Sequence, residues 1–219
     1  MRGRGLVTLV LAVLAGAFWL IQRAPYTVSA VNAAPPLIVI DPGHGGWDPG
    51  AVRGVVYEKS ITLAVALKLG SALLAHGYRI FYTRRTDTAL ARTVLDDLNR
   101  RAQLANQLQA ALFVSVHVNT EPTGTMRGPL VYYTRSRPAS YRLALAVSHS
   151  LARTVGSAGP PRPIRQWVLE VSQMPAINVE IGFLSHGSDL RLMNASWYQS
   201  RLAAAIARGL AHYLAAPGR

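Results

Sequence analysis

Four ionisable side chains stand where an α/β sheet would collect its functional groups. His44, His117 and Glu180 each follow closely on a short apolar, strand-like run of residues. In open α/β sheets, ligands bind outside the carboxyl ends of the strands, so these three side chains are candidates for one site. A fourth candidate is Glu58, in the turn before a helix that is predicted to start near Ser60.

These residue types suit a catalytic metal centre. Two histidines and one glutamate are a known ligand set for catalytic zinc, with a fourth position left to water, and His44, Glu58 and His117 supply that set. Zinc makes water acidic enough to lose a proton near pH 7, and Glu180 is placed to take that proton and pass it to a leaving amine. Histidine and carboxylate also suit other divalent ions.

Several of these residues also have a structural explanation. An acid in the first turn of a helix, such as Glu58, is favoured by the helix dipole alone. Glu180 could be a buried structural carboxylate, although burial without a partner would be costly. Asp41 either orients His44 as a hydrogen-bond partner or merely ends its strand.

The elements that must position these residues alternate between strand-like and helix-like stretches. This alternation predicts a single α/β domain, with a twisted, mostly parallel (mixed) sheet flanked by helices. The predicted strands are 37–41, 78–83, 112–116, 129–134 and 176–181, the predicted helices are 61–75, 96–109, 141–154 and 198–214, and 156–163 is predicted to be a loop.

Composition narrows the possible function classes. The 219 residues correspond to one domain or one domain with a short appendage, and 50% hydrophobic residues argue against intrinsic disorder. With no cysteine, the chain cannot form a disulfide, a thiolate metal site or a thiol nucleophile. The formal charge of +13 favours an anionic partner such as nucleic acid, anionic lipid or an anionic polymer.

The N-terminus predicts export from the cytoplasm. Arg2 and Arg4 precede an apolar run over 6–21, so segment 1–33 is predicted to be a signal peptide or an N-terminal membrane anchor, with cleavage favoured near Ala33. The expected location is the periplasm or cell envelope, and an uncleaved segment would anchor the protein in the membrane through 6–21. In an exported protein, the basic charge points to an anionic envelope polymer rather than to nucleic acid.

Five motifs occur in order along the chain. They are Asp41-Pro-Gly-His-Gly-Gly, Glu58, Arg101-x-x-x-Ala-Asn106, Ser115-Val-His117-Val-Asn119 and Met174-Pro-Ala-Ile-Asn-Val-Glu180-Ile-Gly-Phe-Leu-Ser185. Together they resemble the zinc-dependent N-acetylmuramoyl-L-alanine amidases of the type 3 amidase family. The resemblance covers 38–214, which lies within a predicted zinc amidase catalytic domain over 34–219.

The resemblance implies an enzyme that binds Zn²⁺ and acts on peptidoglycan. The reaction would be hydrolysis of the amide between N-acetylmuramic acid and the L-alanine of the stem peptide. The resemblance further implies that His44, Glu58 and His117 bind the zinc and that Glu180 is the catalytic acid/base. Because some septal members cover their zinc with a regulatory helix, and only 62 residues separate His117 from Glu180, we expect a site that is open without an activator.

Three further residues are predicted to contact the substrate. Arg101, Asn119 and Arg127 are the candidates, although Arg101 could equally cap a solvated helix face. The chain departs from the family at two positions, with Glu170 where Arg is frequent and His186 where Asn is frequent. His186 could compete as a metal ligand or replace an amide hydrogen bond.

Three alternative functions remain beside the amidase. A non-catalytic peptidoglycan-binding or regulatory protein on the same fold would be expected to lack one of the four core residues, and none is lacking. A zinc peptidase that cuts within the stem peptide would be told apart by its products. A nucleic-acid-binding domain is disfavoured by the export signal and the scattered arginines. The sequence indicates no oligomeric state.

Overall fold

The computed structural model describes residues 34–156 and 158–216. The predicted signal peptide or anchor, including the apolar run 6–21, lies outside these residues. From Pro35 onward the chain forms one compact unit. Within the described ranges, no helix combines the length and apolar character that crossing a membrane requires.

Eight strands and six helices are formed by the described residues. The strands are β1 (Leu37–Pro42), β2 (Val52–Arg53), β3 (Val56–Tyr57), β4 (Arg79–Tyr82), β5 (Leu112–Asn119), β6 (Leu130–Tyr133), β7 (Arg162–Pro163) and β8 (Ala176–Phe183). The helices are α1 (Glu58–Ala75), α2 (Val94–Gln107), α3 (Pro138–Val155), α4 (Trp167–Glu170), α5 (Gly187–Met193) and α6 (Ser196–Ala215).

The central sheet has six strands in the order β4-β1-β5-β8-β6-β7. The first four are parallel neighbours, β6 runs antiparallel to β8, and β7 is parallel to β6. The predicted mostly parallel, mixed sheet is therefore confirmed. Because β1, β5 and β8 are adjacent and parallel, their carboxyl ends meet at one edge, and His117 pairs in register with Glu180 there.

Side-chain alternation in the strands separates two apolar layers. Ile38 and Ile40 of β1 join the larger core, which α1, α3 and α6 cover, whereas Val39 faces the smaller core beneath α2 and α4. Successive residues of a strand point to opposite faces, so a continuous apolar run is buried on both sides. All eight residues of β8 are buried, consistent with its position inside the sheet.

The structure corrects several predicted boundaries. Glu58 is the first residue of α1 rather than part of a preceding turn, β5 continues past its predicted end to include His117, and β8 extends to Phe183. The β2–β3 hairpin, α4 and α5 are absent from the prediction, and β7 lies within the predicted loop 156–163. Strands of two residues and helices of one or two turns are too short to produce a hydrophobic period.

The interval between His117 and Glu180 contains one long helix, α3. Its buried face includes Leu143, Val147 and Leu151, and it packs mainly against α6. This helix therefore forms part of the larger core.

Candidate active site

His44, Glu58 and His117 converge at the carboxyl edge of the sheet. Nε2 of His44 lies 3.1 Å from Oε1 of Glu58, and Nδ1 of His117 lies 3.0 Å from the same oxygen. One ligand atom from each residue falls within 4.8 Å of the others. Tetrahedral ligands about 2 Å from a zinc ion are about 3.3 Å apart, so these donor types and spacings fit zinc.

The loop after β1 turns the His44 ring toward this cluster. His44 has a left-handed backbone with φ of 61°, and Gly45 and Gly46 continue the turn with positive φ values. Oδ2 of Asp48 lies 2.7 Å from Nδ1 of His44, which leaves Nε2 facing Glu58. A carboxylate on the second ring nitrogen fixes the orientation and tautomer of a metal-binding histidine.

Asp48 therefore occupies the orienting position for which Asp41 was one candidate. Asp41 instead accepts hydrogen bonds from Thr83 (2.6 Å) and Ser115 (2.7 Å) and forms an ion pair with Arg101. The sequence carried a signal for Asp48, because it lies four residues after His44 beyond a glycine pair, but this spacing alone is common.

Glu58 is held in the cluster by backbone groups as well as by the histidines. Its Oε1 accepts from the Val118 N–H at 2.9 Å and its Oε2 from the Ala51 N–H at 2.8 Å. Burial alone would raise the pKa of Glu58, but the hydrogen bonds from His117 and His44 hold it well below its usual range. Glu58 is therefore ionised at neutral pH.

The cluster attracts positive charge. Burial opposes protonation of His44, yet the carboxylates of Glu58 and Asp48 together raise the pKa of His44 to about 9. Two carboxylates around one imidazole stabilise a cation at this point. A divalent metal ion would meet the same electrostatic preference.

Glu180 is almost fully buried beside His117, with 7% of its surface exposed. Its Oε1 accepts a hydrogen bond from Asn178 at 2.9 Å, whereas no described residue hydrogen-bonds to its buried Oε2. Burial raises the pKa of Glu180 to about 7, a smaller effect of His117 lowers it, and the nearby Glu58 carboxylate adds to the increase. A carboxyl group with a pKa near neutrality can both accept and release a proton.

Arg101 is fully engaged within the protein. Its guanidinium makes five hydrogen bonds, two to Asp97, one to Asp41 and one each to the carbonyls of Pro42 and His44. A guanidinium has five N–H donors, and all five are used here. With 2% of its surface exposed, Arg101 does not cap a solvated helix face, so that alternative is wrong. Its role as a substrate contact stays a prediction, and the structure gives it internal partners for every donor.

The fold and the sequence both match one known family. The family model Amidase_3, described as N-acetylmuramoyl-L-alanine amidase, matches residues 38–212. The chain belongs to this amidase family. The enzyme class predicted from the motifs is thereby confirmed.

Individual relatives of the amidase agree with this assignment. The germination-specific N-acetylmuramoyl-L-alanine amidase of Bacillus subtilis is 30% identical over 194 residues, which cover 83% of this chain and 81% of that protein. The crystal structure of an N-acetylmuramoyl-L-alanine amidase from Clostridium difficile 630 superposes with a TM-score of 0.78 at 32% identity, covering 85% of this chain and 100% of that one. The amidase AmiC2 of Nostoc punctiforme gives a TM-score of 0.74 at 33% identity, with coverages of 82% and 97%.

The remaining candidate residues of the amidase lie outside the metal cluster. Asn119 ends β5, where its Nδ2 lies 3.5 Å from the Tyr132 hydroxyl, and Arg127 is exposed in the loop before β6. Both stay predictions as substrate contacts. His186 precedes α5 with Nδ1 3.8 Å from Asp189, and it does not belong to the group of potential metal ligands.

Glu170 has a partner of its own. It accepts a hydrogen bond from the Thr134 hydroxyl at 2.6 Å, and this bond lowers the pKa of Glu170, with Arg165 and Arg137 adding smaller effects in the same direction. At this position the amidase therefore has an ionised carboxylate that accepts hydrogen bonds, where an arginine would donate them.

Proposed function

We propose that this chain is a zinc-dependent, exported amidase that hydrolyses the bond between N-acetylmuramic acid and the L-alanine of the peptidoglycan stem peptide. The observation that carries the proposal is the convergence of His44, Glu58 and His117 beside a buried Glu180. Membership of the amidase family supports an amide bond of peptidoglycan as the bond that is cut. The two histidines and one glutamate support zinc as the metal.

The metal ligands would be Nε2 of His44, Nδ1 of His117 and the Glu58 carboxylate. Zinc, when bound, supplies Lewis-acid polarisation of the amide carbonyl and makes water more acidic. Asp48 keeps Nε2 of His44 directed at the cluster, and the Val118 and Ala51 amides fix the Glu58 carboxylate.

Glu180 would move the proton. Its Oε2 takes a proton from the attacking water and then delivers it to the L-alanine nitrogen as the carbon–nitrogen bond breaks. A raised pKa suits both halves of this transfer, because the group is neither fully ionised nor fully protonated near pH 7. Removing such a group typically costs about 10²–10⁴-fold in rate.

The proposal also includes export of the protein and a metal site that is open to solvent. The apolar run 6–21 behind two arginines supports export as a cleaved signal or as a membrane anchor, and peptidoglycan as substrate requires an extracytoplasmic site. His44 and His117 keep 23% and 22% of their side-chain surfaces exposed. This exposure supports a site that works without an activator.

The proposal is tested with the full-length protein after chelation and reloading with zinc. Bound zinc is measured by elemental analysis, and activity by release of soluble fragments from dye-labelled peptidoglycan. We expect Glu180→Gln to retain zinc and to lose at least about 100-fold in activity. The matched control is Glu121→Gln, because the hydrogen bonds of that carboxylate stay within its own loop.

Two results would contradict the proposal separately. Failure of the wild type to bind zinc would remove the metal assignment. Activity of Glu180→Gln equal to that of Glu121→Gln would remove the acid/base assignment.

A further inference from the structure

A cavity lies directly beside the loop that carries His44. It has a volume of about 940 Å³, is open to solvent, and is lined by the turn at 46–47, the loop 88–92 and the exposed face of α2. Sites for small ligands usually measure about 300–1,000 Å³. Six of its lining side chains can stack on a ligand or hydrogen-bond to it: Trp47, Arg92, Asp96, Asn99, Arg100 and Gln103.

Trp47 forms an aromatic wall of this cavity. Half of its surface is exposed, and its Nε1–H donates to the Ala91 carbonyl at 2.8 Å. The hydrogen bond fixes one edge of the indole while leaving apolar ring surface exposed. A large aromatic side chain held rigidly at the surface offers contact area at little entropic cost.

A second exposed tryptophan stands next to the cavity. Trp167 is 51% exposed, and its Nε1–H donates to Oδ1 of Asn99 at 2.6 Å. This bond orients the Asn99 amide, which lines the cavity. The cavity therefore combines a fixed aromatic surface with an amide whose orientation is set by another indole.

The cavity wall is packed tightly against the loop that carries His44. A Cβ added to Gly45 would lie 2.3 Å from the Thr88 carbonyl oxygen, and one added to Gly46 would lie 2.6 Å from the Ala89 nitrogen. The backbones of the two loops are thus in direct contact. A ligand in this cavity would be held at a fixed position relative to the metal cluster.

We propose that this cavity binds the glycan strand of peptidoglycan, with one sugar ring stacked on Trp47. The assignment of peptidoglycan rests on the proposed function. Amino sugars have apolar ring faces and edges rich in hydroxyl and acetamido groups, which match an indole face surrounded by donors and acceptors. Arg100, Asn99 and Gln103 supply donors, and Asp96 supplies an acceptor.

The stem peptide is the competing ligand, because its carboxylates would pair with Arg92 and Arg100. The amide and aromatic lining favours the sugar, since a carboxylate gains nothing from a half-exposed indole face. The two ligands make opposite predictions for loss of the Trp47 ring. Sugar binding would weaken, whereas binding of an anionic peptide through the arginines would persist.

The test measures binding of chitotetraose, a soluble oligomer of N-acetylglucosamine, to the full-length protein by calorimetry. We expect Trp47→Ala to weaken this binding at least tenfold and Trp47→Phe to restore part of it. The matched control is Trp197→Ala, because Trp197 is 57% exposed on α6 and does not line the cavity. Circular dichroism confirms that each variant is folded.

Each outcome decides the proposal. Equal affinities of Trp47→Ala and wild type, or no chitotetraose binding by wild type at millimolar concentration, would overturn it. A stem tetrapeptide that displaces chitotetraose and binds Trp47→Ala as tightly as the wild type would also overturn it, because the cavity would then belong to the peptide. Chitotetraose has no muramoyl–peptide bond, so its binding is measured independently of hydrolysis. Sugar binding without amidase activity would therefore contradict only the proposed function.

Discussion

Replacing Arg101 by methionine tests how the metal-binding loop is held. Arg101 lies between Asp41 and Asp97, with nitrogen–oxygen distances of 2.8 Å to each. It also donates to the Pro42 and His44 carbonyls, both at 2.8 Å. Methionine keeps much of the side-chain length but removes all five donors.

Arg101→Met should lower the free energy of unfolding, because the carboxylates of Asp41 and Asp97 lose their cation. Breaking a buried ion pair by removing one partner typically costs about 3–5 kcal/mol. Asp41 is buried, so water cannot solvate its carboxylate once the arginine is gone. We expect the unfolding free energy to fall by about 3–5 kcal/mol, a large part of the roughly 5–15 kcal/mol that stabilises a typical domain.

Urea unfolding followed by circular dichroism measures this change. The control is Arg142→Met, an exposed arginine within α3, for which we expect a change of less than about 0.5 kcal/mol. Adding Asp41→Asn to Arg101→Met should recover part of the loss, because the substitution neutralises the stranded charge. A loss below about 1 kcal/mol in Arg101→Met would refute this account of the loop.

Three further predictions concern the metal site and its support. Asp48→Asn should lower zinc affinity about 10–100-fold, measured by competition with a chelating dye, because His44 loses its orienting carboxylate; unchanged affinity would contradict that role. Gly50→Ala should also weaken zinc binding in the same assay, since Gly50 has φ of 65° and its added Cβ would lie 2.6 Å from Oε2 of Glu58; wild-type affinity would contradict the crowding argument. Burial would raise the pKa of Asp41, but Arg101 and the hydrogen bonds from Thr83 and Ser115 outweigh it and lower this pKa. The Asp41 carboxylate therefore stabilises the fold above the pKa that aspartate has in the unfolded chain, and this stabilisation is lost as the pH falls below about 4. Urea midpoints at pH 3 and pH 6 should therefore differ less in Asp41→Asn than in wild type, and equal differences would contradict this.

The sequence predicted the strands and the site residues at their ends, because each of those residues closely follows an apolar run. The apolar runs before His44, His117 and Glu180 indicated adjacent strands, and the parallel order of β1, β5 and β8 brings those side chains to one edge. Arg101 illustrates the opposite case. It lies on α2, where a charged residue is usually solvated, and only the tertiary fold brings Asp41 and two backbone carbonyls against it.

The supporting contacts of the metal site depend on backbone conformation that residue types do not specify. The left-handed His44 brings Asp48 back to its ring, and the Ala51 and Val118 amides reach Glu58 from different parts of the chain. Motif spacing identifies ligand types, whereas these contacts require the closed loop and the register of β5. The cavity at Trp47 is likewise assembled from segments far apart in sequence.

The most direct test of the central claim is mass spectrometry of the fragments that the zinc-loaded, full-length protein releases from peptidoglycan. We expect stem peptides with a free L-alanine amino terminus and glycan strands with unsubstituted lactyl groups, both absent after treatment with Glu180→Gln. New ends within the stem peptide would contradict the amidase and identify a peptidase. Absence of any cleavage with zinc or another divalent ion would contradict the catalytic role of the site.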